Sequence, residues 1–118
     1  MVAGLSDTQI FEAMAVRLDG PRAAEHRLTI NWRFRGGERY VLRLRNGVLT
    51  HLVGTEDAEA DASLTVAREA INRLLAEETT VPDLLEAGEI ELGGELIAVG
   101  TLFGLLDEVD FGFAIVEP

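Results

Sequence analysis

The first regular pattern along the chain has the spacing of a helix. Ser6 and Gln9 stand in the arrangement of a capping box, which predicts that a helix begins there. Apolar residues then recur at helical spacing until Gly20 and Pro21 end the segment. The residues of this apolar face are Ile10, Phe11, Met14, Ala15 and Leu18. We expect the face to pack on the core of a folded domain.

Between residues 27 and 53 the pattern changes to an alternation of apolar and polar positions, which is typical of half-buried strands. The alternating runs are separated by Gly36-Gly37 and by Asn46-Gly47, and the second pair is a strong signal for a tight hairpin turn. The segment therefore predicts a three-stranded antiparallel meander.

The second half of the chain predicts shorter elements. A polar, acidic loop at residues 54–61 leads to a fourth strand at 62–66 and to an amphipathic helix at 67–75. Residues 81–87 then indicate a short helical turn, and residues 90–92 indicate a fifth strand. We expect a single α+β domain that spans the whole chain.

The last predicted helix, at about residues 95–106, is apolar on nearly every side. In a soluble protein only buried helices have this composition. A sheet can cover one side of the helix, so we expect the other side to face another helix, a ligand cavity or a partner chain. Gly100 and Gly104 form a ridge of small residues along it, which lets another backbone or a ligand chain approach closely.

Composition and charge argue against some classes of binding partner. The net charge of −11 argues against nucleic acid, because that binding relies on cationic residues that displace counterions from phosphates. All 10 cationic residues are arginines, and most of them precede Asn46, whereas most of the 21 acidic residues follow it. The positive charge is therefore concentrated in residues 1–45, which carry 8 arginines and 5 acids.

The chain lacks the residue clusters that catalysis or metal binding requires. It has no cysteine, and its two histidines, His26 and His51, do not have the spacing of zinc ligands. No Ser-His-Asp arrangement and no glycine-rich phosphate loop is present. We therefore expect no catalytic residue, no metal site, no cofactor and no enzymatic activity. The absence of cysteine, of a leader and of a membrane-spanning stretch favours a soluble, cytoplasmic protein.

Arginines alternate along the polar sides of the first two predicted strands, which a hairpin would bring together. These five residues, which we call the arginine face, are Arg33, Arg35, Arg39, Arg43 and Arg45. They form either an ordinary solvated face of an antiparallel sheet or a docking surface for an acidic domain or anionic headgroups. The pattern alone leaves both interpretations open.

Several stretches of the chain resemble the C-terminal domain of alkyl sulfatases. They are RLDGPRAA at residues 17–24, LTINW at 28–32, GERY at 37–40, RNGVLTH at 45–51 and the ending at 106–118. The resemblance implies a type-2 sterol-carrier-protein-like fold, in which a mostly antiparallel five-stranded sheet is covered by helices that leave a hydrophobic tunnel. It also implies that sulfate-ester hydrolysis belongs to a separate two-zinc domain of the metallo-β-lactamase type, whose His-rich motif is not found here.

One position departs from the pattern of that wider fold. An acidic residue usually follows the glycine at the end of the fifth strand, and here the residue is Gly94. Glu95 could cap the last helix in its place.

The apolar last helix and the resemblance together predict a non-catalytic carrier of fatty, alkyl or sterol-like chains. The predicted lining of its tunnel is Phe11, Met14, Trp32, Phe34, Leu96, Val99, Phe103 and Leu106. A solid core built from the same residues is the alternative, since periodicity does not distinguish the two. The domain would then be a protein-interaction module that docks through the arginine face on a separately encoded alkyl sulfatase-type hydrolase. An acidic protein partner or a second copy of the chain is possible as well.

Overall fold

Helices and strands follow one another through residues 6–106, which are the residues that the computed structural model describes. The helices are α1 (Asp7–Arg17), α2 (Gly20–Ala23), α3 (Arg68–Leu75), α4 (Val81–Glu86) and α5 (Leu96–Gly104). The strands are β1 (Leu28–Phe34), β2 (Arg39–Arg45), β3 (Val48–Val53), β4 (Ala62–Val66) and β5 (Ile90–Gly94). All of them except α2 lie where the sequence predicts an element. The similarity at residues 107–118 lies outside the described residues.

The strands form one sheet in the order β3-β2-β1-β4-β5, so β3 and β5 lie at its edges. β1 pairs in parallel with β4, and the other neighbouring strands pair antiparallel. Asn46 and Gly47 join β2 to β3 with φ values of 55° and 76°, the positive values that a tight hairpin turn requires. The predicted meander and the mostly antiparallel five-stranded sheet are confirmed.

The capping box predicted at the start of α1 is present. The backbone N–H of Gln9 donates to Ser6 Oγ over 3.2 Å, and the Ser6 N–H donates to Gln9 Oε1 over 2.9 Å. Gly20 and Pro21 follow the end of α1 as expected, but they also begin α2, a single helical turn that was not predicted. Asp19 caps this turn. Pro21 fits there because backbone N–H groups in the first turn of a helix have no acceptor within the helix, so the N–H that proline lacks costs no hydrogen bond.

The inner face of the sheet carries the core. Against this face α1 packs near β3, and α5 packs near β1 and β4. The largest of the fully buried side chains are Trp32, Phe11, Phe34, Phe103, Ile10 and Met14. The first helix, the central strands and the last helix therefore build one core from distant parts of the chain.

The last helix is shorter and less buried than its composition predicts. It begins at Leu96 and ends at Gly104, inside the predicted range. Leu96 is 57% exposed and Ile97 is 83% exposed. The prediction that α5 is buried on nearly every side is therefore wrong at its first turn. The sheet covers one side of the helix, and these two side chains remain outside that contact.

Gly94 joins β5 to α5 in a conformation that favours glycine. Its φ is +73°, and a Cβ atom there would lie 2.8 Å from the backbone oxygen of Asp61. Glycine therefore suits this position for a steric reason. Glu95 follows at the N-cap position, but its side chain accepts no hydrogen bond from α5, so the suggested side-chain cap is not formed.

Candidate functional site

An aromatic cluster occupies the inner face of the sheet. The Phe11 ring from α1 lies at its centre, with its centroid 5.4 Å from that of Trp32 and 4.8 Å from that of Tyr40. The Phe34 centroid lies 5.8 Å from those of both Phe11 and Trp32. Phe103 of α5 reaches Trp32 at a centroid distance of 6.3 Å. Rings from α1, β1, β2 and α5 thus form one continuous apolar interior.

The structure brings the predicted lining residues together with one exception. Seven of them belong to a single core cluster. These seven are Phe11, Met14, Trp32, Phe34, Val99, Phe103 and Leu106. Leu96 stands outside the cluster, because it occupies the exposed first turn of α5. A tunnel through this interior stays a prediction, and a ligand there would have to replace contacts that the seven side chains make with one another.

Trp32 Nε1 has no hydrogen-bond partner in the part of the chain that the structure describes. Among the buried side-chain nitrogen and oxygen atoms of residues 6–106, it is the single one in this condition. Native proteins contain few such atoms, because a buried donor without an acceptor has lost its bond to water and gained nothing. The alternation along β1 predicts that Trp32 is buried, but it gives no sign of the unpaired donor.

A polar cluster stands at the edge of the aromatic cluster. Asp7, at the start of α1, accepts hydrogen bonds from the Tyr40 hydroxyl at 2.8 Å and from Arg68 Nε at 2.6 Å. The Arg68 guanidinium also lies 5.6 Å from the centre of the Phe34 ring, within cation–π range. Burial, followed by the hydrogen bond to Asp7, raises the pKa of Tyr40 to about 12. The cluster ties α1 to β2 and α3.

The arginine face lies on the outer face of the sheet, where acidic side chains pair with it. Arg33 and Arg39 stand opposite each other on β1 and β2, and both approach Glu56, at 3.0 and 3.8 Å. Arg43 pairs with Asp57 at 3.1 Å. Both acids come from the loop between β3 and β4, which folds back over these strands. The surface is therefore one of mixed charge, not a uniformly basic one.

The other two arginines of this face also have partners. Arg35 donates to the Glu91 carboxylate of β5 and to the backbone oxygen of Gly88, both at 3.0 Å. Arg45 donates to the backbone oxygen of Leu28 at 2.7 Å. Both guanidinium groups therefore hold neighbouring segments of the domain as well as carrying charge.

A groove of about 320 Å³ lies on the outer face of the sheet, beside β1 and β4. Its polar lining consists of Asn31, Arg33, Glu56, Ser63 and Thr65. The Asn31 side chain exchanges two hydrogen bonds of 2.9 Å with the backbone of Asp57, which fastens the acidic loop to β1. The pKa of the Asp57 carboxyl is lowered because it accepts the Glu59 N–H and, next in effect, a hydrogen bond from Arg43. The loop is thus a fixed wall of the groove.

Histidine and acidic side chains do not form a metal centre in the part of the chain that the structure describes. Within residues 6–106, no group of three or more histidines and acids is placed to hold a metal ion. His26 is exposed, and the His51 ring stacks at 4.9 Å from that of Phe11. Over the same residues, no helix is both long enough and apolar enough to cross a membrane.

Comparison with known proteins shows the family to which this chain belongs. A profile described as alkyl sulfatase C-terminal matches residues 1–118. The chain belongs to the alkyl sulfatase C-terminal family. An (R)-specific secondary-alkylsulfatase from Pseudomonas sp. is 34% identical over 119 residues, a match that covers 100% of this chain. The chain spans 18% of that relative's length, and the match falls on the C-terminal domain, not on the catalytic one.

Solved structures share the fold of this alkyl sulfatase C-terminal domain. The sec-alkylsulfatase Pisa1 from Pseudomonas sp. matches with a TM-score of 0.82 and 33% identity, over 94% of the domain and 18% of that chain. Sterol carrier protein-2 from Aedes aegypti, solved in complex with palmitate, matches with a TM-score of 0.66 and 20% identity, over 86% of the domain and 94% of that chain. The sterol-carrier-protein-like fold that the family resemblance implies is therefore confirmed.

Proposed function

We propose that this domain binds fatty, alkyl or sterol-like chains without changing them chemically. The observation that carries the proposal is the continuous apolar interior between the inner face of the sheet, α1 and α5. The fold neighbour solved with palmitate supports a ligand of this class. Membership of the alkyl sulfatase C-terminal family supports an alkyl chain in particular.

Ligand binding on this proposal requires part of the interior to open. Phe11 occupies the centre of the aromatic cluster, and it belongs to α1, which contacts β3 and α3. We expect a bound chain to take the place of Phe11 and Met14 while α1 moves outward. The chain would then lie against the inner residues of β1 and the buried side of α5.

Titration with saturated alkyl ligands of graded length tests this function. Trp32 is the single tryptophan, so its fluorescence reports on the interior directly. Each buried methylene contributes about 0.8 kcal/mol, so we predict that affinity rises roughly fourfold per carbon until the site is full. The absence of a saturable response at every chain length would reject the proposal.

Two substitutions on α5 provide matched controls for the titration. Val99 is 1% exposed, whereas Ile97 is 83% exposed on the same helix. Val99→Ala removes two methyl groups from the interior, so the preferred chain should lengthen by about two carbons. Ile97→Ala should leave the preference unchanged. A larger effect of Ile97→Ala would show that ligands bind on the outside of α5.

A second candidate function is docking on a separately encoded alkyl sulfatase-type hydrolase. The groove on the outer face favours it, because it offers a polar recess beside the arginine face. The ion pairs there suit a partner surface that carries charges of both signs, since an acidic surface alone would meet Glu56 and Asp57 as well as the arginines. The two candidate functions use opposite faces of the sheet, so they can be tested separately.

A further inference from the structure

The packing of the described residues supplies no hydrogen-bond acceptor for the indole N–H of Trp32. This side chain is 1% exposed, and its Nε1 atom has no partner among residues 6–106. The rings beside it belong to Phe11, Phe34 and Phe103, which supply no oxygen or nitrogen acceptor. An indole N–H can only donate a hydrogen bond. The interior formed by the described residues therefore contains one directional polar group without a partner.

We propose that Trp32 Nε1 is a polar anchor, which donates a hydrogen bond to an uncharged oxygen of an apolar chain bound in the interior. The inference rests on the proposed function, because the chain must first enter the interior. A hydroxyl or carbonyl oxygen meets the requirement. An alkane of the same length fills the same space but leaves the indole unpaired.

The surroundings of Trp32 select an uncharged oxygen over an ionised one. In the described part of the chain, two basic side chains flank the aromatic cluster: Arg68 is already bound to Asp7, and His51 lies against Phe11 and Tyr40 and not against Trp32 in any ring contact. An ionised carboxylate or sulfate next to Trp32 would lose its hydration without gaining a cation of its own. A neutral oxygen loses much less hydration, and one N–H donor compensates most of that loss. Any charged headgroup is therefore expected to stay at the edge of the site.

A paired calorimetric experiment measures how much the Trp32 hydrogen bond contributes to ligand affinity. Decan-1-ol and decane are titrated into the wild-type protein and into Trp32→Phe, which removes the donor but keeps an aromatic ring. We predict that the ratio of alcohol affinity to alkane affinity falls about tenfold in the variant. Phe103→Leu is the matched control, because it disturbs packing beside Trp32 but keeps the indole. In that variant both affinities should change by the same factor.

Nuclear magnetic resonance of the unaltered protein supplies a measurement that does not depend on the variant folding. With one tryptophan in the chain, one indole N–H resonance is expected. Decan-1-ol should move this resonance downfield and slow its exchange with water, as a new hydrogen bond to oxygen does. Decane at saturation should produce neither effect.

The outcomes separate the anchor from the proposed function. If neither ligand binds, the proposed function fails and the anchor fails with it. If both ligands bind, but the affinity ratio is the same in Trp32→Phe and the indole resonance responds alike to both, the anchor is wrong while the carrier function stands. A lowered ratio together with a downfield shift specific to the alcohol supports the anchor.

Discussion

At the scale of single residues, Tyr40 shows how burial and one neighbouring charge act on a proton. Its side chain is buried, and its hydroxyl donates to the Asp7 carboxylate. An ionised phenol would lose its hydration at this position and would also repel Asp7. Both effects favour the neutral phenol, so Tyr40 holds its proton more tightly in the folded protein than in the unfolded chain.

We predict that Tyr40 titrates near pH 12 in the native protein and near pH 10.0 in the unfolded chain. Because the folded pKa is the higher of the two, the stabilisation from the neutral phenol is complete below about pH 10 and is lost as the pH rises to about 12. Tyr40 is the single tyrosine, so the ultraviolet absorbance of tyrosinate in native and denatured protein measures both values.

The substitution Asp7→Asn separates the two causes of this shift. It removes the carboxylate charge but leaves the phenol buried, and burial is the larger cause. The native pKa of Tyr40 should therefore fall part of the way towards its unfolded value and stop above it. Titration of the wild-type native protein near pH 10 would contradict the buried, hydrogen-bonded position of this side chain.

At the scale of elements, the join between β5 and α5 depends on Gly94. Its positive φ and the nearby Asp61 oxygen both disfavour a Cβ atom. We predict that Gly94→Ala destabilises the domain by about 1–3 kcal/mol, because the new methyl group forces either backbone strain or a shift of β4. The free energy of unfolding, measured by urea denaturation, checks this value.

Gly104 is the matched control for that substitution. It lies at the end of α5, where a Cβ atom would have no close contact with the other elements of residues 6–106 and no positive φ is required. Gly104→Ala should therefore be neutral, or stabilise the helix by up to about 1 kcal/mol. Equal losses of stability at both positions would mean that the close approach of Asp61 to Gly94 is not the cause.

Local patterns were enough to predict most helices and strands. They do not predict contacts between residues that are distant in the chain. The capping box at Ser6 and the hairpin turn at Asn46 depend on neighbouring residues, so the sequence shows them directly. The bond from Tyr40 to Asp7 and the ion pair of Arg33 with Glu56 join residues far apart in the chain, and no periodicity encodes them. The exposed turn at the start of α5 was missed because apolar composition does not reveal which neighbours a helix will have.

At the scale of the whole molecule, the uneven charge of the chain is partly balanced by folding. The arginine face comes from the basic first part of the chain, and the acids that pair with it come from the acidic second part. These pairs are largely exposed, so each contributes little to stability. Their larger effect is on the outer face, which presents alternating charges to any partner.

We predict that the double reversal Arg39→Glu with Arg43→Glu weakens docking on an alkyl sulfatase hydrolase domain and changes the free energy of unfolding by less than about 1 kcal/mol. These two residues pair with different acids, Glu56 and Asp57, and Glu56 keeps Arg33. Interferometry with the hydrolase domain immobilised measures the first effect, and thermal unfolding measures the second.

The control for net charge is the double reversal Arg17→Glu with Arg22→Glu. These residues lie on α1 and α2, where Arg17 donates to the Ala13 backbone oxygen and Arg22 pairs with Asp19, and the change in charge is the same. Docking should remain unaffected. If the control weakens docking equally, the effect is one of overall charge. If the first variant unfolds, the arginine face is structural and the docking proposal is wrong.

The parallel pairing of β1 with β4 has a consequence for how the chain folds. β1, β2 and β3 pair through tight turns between neighbouring segments, so they can assemble from local contacts. β4 reaches β1 only after the chain has passed through both hairpins and the acidic loop, and closing that longer loop costs entropy before any new contact forms. The main barrier to folding is therefore expected at the docking of β4 on a preformed meander, and the completed interior exists only after that step.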